Sequence, residues 1–206
     1  MPRELIDGLF HWTAVHPNIG SRVSSDYVAP ALAVIDPIEP EGGWDALPGP
    51  VDVILLTSGH HTRGAAELAG RLGIPIRTSQ PAADRIGGTL DVEIDAPGTE
   101  VAPGITSLHL GGISPDEGAY HVALDAGAVA FADGVVHTGH ELAFVPDRLI
   151  GDEPERVKVD LATAFEALLS DKAFDHLLFA HGEPVIGGGR SALANFAART
   201  LGDQVR

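Results

Sequence analysis

Short apolar runs separated by glycine- and proline-rich turns recur along the chain and predict a mixed fold rich in strands. The run Val51–Thr57 is apolar almost throughout, which is typical of a strand buried on both faces. A segment of small and apolar residues, Gly64–Leu72, follows it and stops at Gly73, a common helix terminator. The next apolar run, Ile74–Arg77, completes a strand–helix–strand order, which indicates a βαβ unit.

The rest of the chain shows the same kinds of element. Two short strands flank a turn at Pro30, and a long loop that contains Trp44 runs on to Pro50. The further strands are expected at Tyr27–Val28, Leu32–Ile35, Leu90–Ile94, Thr106–Leu110, Tyr120–Leu124, Ala128–Phe131 and Asp175–Phe179. Two more helices are expected, near Leu161–Leu169 and from Arg190 to about Leu201. No break in composition divides the chain, so we expect a single domain over residues 1–206.

Composition and charge narrow the class of partner. The hydrophobic fraction of 44% is ordinary for a globular protein and too high for a disordered one. Because 13 Lys+Arg stand against 29 Asp+Glu, the net charge is -16, and neither nucleic acid nor an anionic membrane surface is an expected partner. The sequence shows no signal peptide and no apolar run that could cross a bilayer, which favours a cytoplasmic protein.

Candidate chemistry lies at the ends of predicted strands. The chain has no cysteine, so a metal ion here needs imidazole and carboxylate ligands, and a thiol nucleophile is excluded. Loops beyond the carboxyl ends of strands carry the ligands of open α/β sheets, and four such positions hold suitable groups. They are Ser58–Arg63, Gly111–Glu117, Asp133 and His181. Taken singly, each has a simpler explanation, such as a polar cap or an Asp-Gly turn.

The order of these segments resembles the metallo-β-lactamase fold superfamily, the glyoxalase II-like hydrolases, over nearly the whole chain. The motifs that carry the resemblance are Ala33–Pro37, Ser58–Leu68, Gly112–Asp116, Ala132–Asp133 and Ala180–Pro184. The resemblance implies an α/β (α+β) fold, a four-layer αββα sandwich with the site at one edge of two sheets. It also implies hydrolysis of an ester, thioester or similar bond by metal ions, and it allows a homodimer.

The chain departs from the family's metal motif at several ligand positions. Ser58 and Arg63 stand where the family has histidines, Thr62 stands where it has an aspartate, and Ile113 replaces a further histidine. Arg63 puts a guanidinium where the family binds a cation. The ordinary site for two metal ions is therefore not expected.

Three ligand positions of the family motif are kept. By the resemblance, His60, Asp133 and His181 are the expected metal-binding and catalytic residues, and His61 is the nearest substitute ligand. Two histidines and one carboxylate are the set found in mononuclear iron sites. These residues are compatible with one bound divalent ion (zinc, iron or manganese) and equally with no bound metal.

Three functions follow from these residues. The first is a metal-dependent hydrolase with a degenerate or mononuclear site and a small-molecule substrate. The second is a non-catalytic protein that binds a ligand or partner without metal, with Arg63 filling the vacated site through an ion pair with Asp133 or by holding an anionic ligand. The third is metal-free hydrolysis by a Ser58 nucleophile with His60 or His181 as base. Ser58 and Arg63 are thus the expected substrate-binding residues.

Overall fold

The computed structural model describes residues 1–202, which form fifteen β-strands and five α-helices. The strands are β1 (Arg3–Ile6), β2 (Leu9–Val15), β3 (Arg22–Val28), β4 (Ala33–Ile35), β5 (Val53–Leu55), β6 (Ile76–Ser79), β7 (Glu93–Asp95), β8 (Glu100–Ala102), β9 (Ile105–His109), β10 (Gly118–Val122), β11 (Ala128–Phe131), β12 (Val136–Thr138), β13 (Glu141–Ala143), β14 (His176–Phe179) and β15 (Val185–Ile186). The helices are α1 (Ala65–Leu72), α2 (Gln80–Ile86), α3 (Asp147–Ile150), α4 (Pro154–Asp171) and α5 (Gly189–Gly202).

Two large sheets and one small hairpin account for these strands. The seven-stranded sheet has the order β1-β2-β3-β4-β5-β6-β7, antiparallel up to β4 and parallel from β4 to β7. The six-stranded sheet has the order β15-β14-β11-β10-β9-β8, in which β11 and β14 run parallel and the other neighbours antiparallel. Strands β12 and β13 pair only with each other.

Side-chain alternation along the strands builds a four-layer sandwich. In β5, Val53 and Leu55 pack between the sheets together with Ala130 of β11, whereas Ile54 points to the opposite face and joins the core beneath α1 and α2. Phe131 faces away from the first sheet and packs with the apolar faces of α4 and α5. One sheet thus carries α1 and α2 and the other carries α4 and α5, which confirms the expected αββα architecture.

Most predicted elements are present, with shifted ends. The βαβ unit is formed by β5, α1 and β6, with Gly73 in the left-handed conformation at the end of α1. Strand β5 is shorter than the apolar run because the Thr57 N–H donates to the side chain of Asp36 at 2.8 Å. Helix α4 starts earlier than expected, with Pro154 in its first turn, where a missing N–H costs nothing.

Other elements were not predicted. Strands β1 and β2 lie before the first expected strand, and α2 begins after Ser79, whose hydroxyl accepts the Ala82 N–H at 3.4 Å. His11 and Trp12 interrupt the apolar pattern of β2, although both are buried. Within residues 1–202, each helix is too short or too polar to span a membrane.

Candidate metal centre

Four polar residues follow the carboxyl ends of parallel strands. Asp36 comes directly after β4, and His61 lies in the loop between β5 and α1. In the second sheet, Asp133 follows β11 and His181 follows β14. The carboxyl ends of parallel strands share one edge of a sheet, so each sheet supplies a pair of neighbouring loops.

His61, Asp133 and His181 form a compact group in which one ligand atom of each lies within 4.8 Å of the others. Nε2 of His61 is 3.5 Å from Oδ2 of Asp133, and Nε2 of His181 is 3.3 Å from Oδ1. Asp133 therefore stands between two imidazoles, with one carboxylate oxygen toward each. In the described part of the chain, no other group of histidine and carboxylate residues converges in this way.

The ring of His61 is oriented by contacts at Nδ1, on the side away from Asp133. Its Nδ1 lies 2.9 Å from Oδ2 of Asp36 and 2.9 Å from the hydroxyl of Thr57. Asp36 is buried in the left-handed backbone conformation (φ 48°) and also accepts the backbone N–H and the hydroxyl of Thr57. Because Nδ1 donates to this carboxylate, Nε2 is directed at Asp133. A carboxylate behind an imidazole orients histidine ligands in metal sites.

The charges of the group are strongly coupled. Burial lowers the pKa of His61, but the negative charge of Asp36, helped by that of Asp133, raises this pKa to about 9. Burial acts to raise the pKa of Asp133, yet the nearby positive charge of His61 holds it well below its usual range. Burial lowers the pKa of His181, against the charge of Asp133. At neutral pH Asp133 is ionised and His181 is neutral, whereas His61, with a pKa of about 9, carries a second proton that a bound metal ion would displace.

One oxygen of Asp133 lacks a hydrogen bond. Oδ1 is buried and accepts none from the described residues. An unpaired buried acceptor costs roughly 1–3 kcal/mol, and more when it is charged. The separations of 3.3 and 3.5 Å to the two histidines also exceed the roughly 2.7–2.9 Å of a charge-assisted hydrogen bond. The donor set and the unpaired oxygen fit a cation held between the three side chains.

A second buried carboxyl supports the turn that carries Asp133. Glu117, at the end of the loop before β10, accepts the backbone N–H of Gly134. Burial, followed by the charge of Asp133, raises the pKa of Glu117 to about 8. The sequence marked Glu117 only as the end of a candidate loop, and Asp36 only as part of a family-like turn.

Arg63 points into the protein and is held by backbone carbonyls. Nη1 donates to the carbonyl oxygens of Ser24 and Asp36, the latter at 3.1 Å, and Nη2 donates to that of Ala180 at 3.4 Å. Burial lowers the pKa of Arg63, and the charges of Asp36 and Asp133 oppose that effect. Among residues 1–202 no acid forms a salt bridge with it, so the expected ion pair between Arg63 and Asp133 is wrong.

The first histidine of the group is His61 and not His60, one residue away from the expected position. The His61 N–H donates to the Ser58 carbonyl at 3.0 Å, which closes a tight turn after β5. This turn directs the His61 side chain inward toward Asp36 and leaves His60 exposed outside the group. The structure brings Asp133 and His181 into the group, and their catalytic role stays a prediction.

Ser58 is engaged on the other side of the same loop. Its buried hydroxyl donates to Oδ2 of Asp116 at 2.9 Å and accepts the backbone N–H of His60 at 3.2 Å. In the described residues no histidine side chain hydrogen-bonds to Ser58, so the geometry gives no support to a Ser58 nucleophile. The expected substrate-binding role of Ser58 stays a prediction.

Comparison with solved structures finds the same fold in metallo-β-lactamases. The enzyme from Pontibacter korlensis is 18% identical with a TM-score of 0.68, covering 98% of this chain and 98% of that chain. The one from Hirschia baltica is 17% identical with a TM-score of 0.67, covering 97% of each chain. A Cronobacter sakazakii metallo-β-lactamase described by its HARLDQ motif is 15% identical with a TM-score of 0.65, covering 99% of this chain and 96% of that chain.

No protein-family model matches the sequence, and no curated protein matches it either. Identities below one fifth leave the activity open, since one fold supports many chemistries. The structural likeness nevertheless spans nearly the whole chain, including the strands that position His61, Asp133 and His181. The chain therefore has the fold of the metallo-β-lactamase superfamily.

Proposed function

We propose that this protein is a metal-dependent hydrolase whose centre holds one divalent ion between His61, Asp133 and His181. The observation that carries the proposal is the position of Asp133, whose two oxygens each face an imidazole Nε2 while buried Oδ1 has no hydrogen bond. Two histidines and one carboxylate leave coordination positions open for water and substrate, as mononuclear centres require. Zinc, iron and manganese all suit this donor set.

The ion, when bound, would polarise a carbonyl oxygen of the substrate and make water a better nucleophile at neutral pH. The protein's own residues hold the donors in place. Asp36 fixes the ring of His61 through Nδ1, and the low pKa of Asp133 keeps its carboxylate ionised. Glu117 holds the Asp133 turn through the Gly134 N–H. His61 and the turn that carries Asp133 are thus each held by a contact that does not depend on the ion.

A cavity beside the loop that carries His61 has room for a small molecule, although His61, Asp133 and His181 are not among the residues that line it. Its volume is about 360 Å³, and its walls include Thr62 and Arg63, which directly follow His61. The cavity is also lined by His16, from the loop between β2 and β3, and by Trp44, from the loop before β5. Pockets of roughly 300–1,000 Å³ are usual for small ligands. From the resemblance we propose an ester or a thioester as the bond to be hydrolysed, with a β-lactam, the substrate class in the names of the structural neighbours, as a further candidate.

Metal content tests the proposal directly. Protein purified without a histidine tag or chelator, then dialysed against zinc, is expected to hold about one equivalent by elemental analysis. His181→Ala should lose the zinc, whereas His60→Ala, a matched change at the exposed neighbouring histidine, should keep it. Hydrolysis of chromogenic esters, thioesters and a β-lactam should follow the zinc content. No zinc in the unmodified protein, or full retention in His181→Ala, would overturn the proposal.

The charge balance of the centre favours a second candidate, a ligand-binding protein without metal. With His61 protonated, as its pKa of about 9 allows, His61 and Arg63 offset the charges of Asp36 and Asp133. The cluster is then neutral with no ion at all. Failure to take up zinc, together with binding of small carboxylates or phosphate by calorimetry, would favour this candidate over the hydrolase.

A further inference from the structure

The proposed hydrolase gives Arg63, a charged residue two positions after His61, no task in holding the ion. Its guanidinium donates to carbonyl oxygens from three separate segments: Ser24 in β3, Asp36 after β4 and Ala180 after β14. These segments belong to both sheets. Ala180 directly precedes His181, and the side chain of Asp36 holds His61. The positive charge therefore lies against the backbone just before His181 and against the backbone of Asp36, whose side chain holds His61.

The loop around Arg63 fixes this position. Arg63 has a positive φ of 33°, which is rare for a residue with a side chain and has to be held by its surroundings. The next residue, Gly64, donates its N–H to the Pro37 carbonyl at 2.9 Å. A Cβ at Gly64 would meet the ring of Trp44 at 2.7 Å, so the backbone there is packed against an aromatic face. The guanidinium is consequently built into the loop and is not a mobile surface group.

We propose that the Arg63 guanidinium is a permanent second cation of the centre and limits it to one metal ion. The inference rests on the proposed function, because it concerns how many ions the centre takes. The charges of Asp36 and Asp133 act on Arg63, and these are the same two carboxylates that flank His61. An arginine stays protonated at every physiological pH, so its charge cannot be removed to admit a further ion.

Electrostatics and the available ligands both work against a second divalent ion. Two like charges near a protein surface repel strongly even at an effective dielectric constant of about 20. Asp36 already accepts hydrogen bonds from His61 and Thr57, so it offers no free carboxylate. The three carbonyl oxygens that face the guanidinium are also occupied by its N–H groups. Arg63 thus occupies the oxygen atoms that a second ion would need as ligands. Its own positive charge repels such an ion.

Zinc titration of three proteins tests the proposal, with elemental analysis for stoichiometry and a chromophoric chelator as competitor for affinity. The unmodified protein should saturate at one equivalent. Arg63→Gln removes the charge and should bind zinc at least about tenfold more tightly, because the repulsion is gone. Arg63→Lys keeps the charge but cannot reach three carbonyls, and its affinity should stay within about threefold of the unmodified protein. Arg71→Gln, an exposed arginine of α1, is the matched control.

A purely structural role predicts that Arg63→Lys and Arg63→Gln behave alike, and that result would overturn the proposal. So would saturation of the unmodified protein at two equivalents, a measurement that stands even if Arg63→Gln does not fold. One equivalent in the unmodified protein with no tighter binding in Arg63→Gln would sink this inference and leave the proposed function intact. No zinc in any of the proteins would overturn both. Zinc binding gained only in Arg63→Gln would support the repulsion and overturn the proposed function.

Discussion

Two carboxylates, Asp116 and Asp133, flank the loop after β5, and they differ in how fully the protein pairs their oxygens with hydrogen bonds. On one side, Asp116 is fully paired. Its Oδ2 accepts the Ser58 hydroxyl at 2.9 Å and the Gly59 N–H at 3.0 Å, and its Oδ1 accepts Nε of Arg85 at 2.7 Å and the hydroxyl of Ser114. These donors come from two loops and from α2. The protein itself satisfies this carboxylate.

On the other side, Asp133 is not satisfied. Its two imidazole neighbours lie at 3.3 and 3.5 Å, and buried Oδ1 has no donor among the described residues. Asp116 is buried, whereas the side chain of Asp133 is 27% exposed with its Oδ1 buried, and both carboxylates have a pKa below the usual value. This difference in pairing indicates different roles. The fully hydrogen-bonded carboxylate of Asp116 stabilises the fold, whereas the unpaired oxygen of Asp133 offers a place for a cation.

The largest effect is expected from Asp133→Asn. The change keeps the shape of the side chain but removes the negative charge between His61 and His181, so zinc affinity should fall by more than roughly 100-fold. Competition with a chromophoric chelator measures the loss. His60→Ala serves as the control at an exposed neighbour. Unchanged affinity in Asp133→Asn would mean that this cluster is not the zinc site.

A smaller effect is expected from Asp36→Asn. The amide oxygen can still accept the Nδ1 proton of His61, but the carboxylate charge behind the ring is lost. Changes of this kind typically weaken metal binding by roughly 10–100-fold. Isothermal titration should show lower affinity with the stoichiometry still near one. Loss of folding, seen by circular dichroism, would instead identify Asp36 as a mainly structural residue.

Asp116→Asn should change stability and leave the metal alone. It removes the charge that accepts hydrogen bonds from Ser58 and Arg85, and a bond to a charged group contributes roughly 1.5–3 kcal/mol. Because an amide keeps part of the pairing, we expect a loss near the lower figure in the free energy of unfolding. Urea denaturation measures it, with zinc affinity as the control. A loss of zinc binding would show that the two clusters are coupled.

The difference in stability between the unmodified protein and Asp116→Asn is expected to depend on pH. Despite burial, hydrogen bonds from Ser114, Arg85 and Ser58 lower the pKa of Asp116 in the folded state. A lowered pKa stabilises the fold above the unfolded value of about 3.9, and the effect is lost as the pH falls through the folded value. The stability difference between the unmodified protein and Asp116→Asn should therefore be constant at neutral pH and close in acid. A difference that widens in acid would contradict the assignment.

The smallest effect is expected from His60→Ala. His60 is exposed, and its side chain has no hydrogen bond to the described residues. Stability should change by no more than roughly 0.5 kcal/mol, and zinc affinity should not change measurably. Thermal unfolding with and without zinc checks both quantities. A clear loss of zinc would restore His60 as a ligand in place of His61.

Local patterns were sufficient for most of the helices and strands, whereas the layered architecture was expected from the family resemblance. Alternating burial in β9 and continuous burial in β5 follow from side-chain period and composition, both of which can be read from a few neighbouring residues. Strand β2 was missed because buried His11 and Trp12 carry polar atoms whose partners lie elsewhere, Asp26 and the Ile38 carbonyl. A polar residue satisfied by a distant partner cannot be told from an exposed one in the sequence.

The sequence by itself determined that a metal ion needs imidazole and carboxylate, and that Asp133 and His181 stand at strand ends. Only the tertiary structure decided which of two adjacent histidines joins them. That choice depends on the turn between Ser58 and His61 and on Asp36, a partner 25 residues away in the chain. The tertiary structure also decided that Arg63 donates hydrogen bonds to backbone carbonyls and not to Asp133. Element type is a property of neighbouring residues, whereas the direction of one side chain is set by contacts that exist only after both sheets have packed.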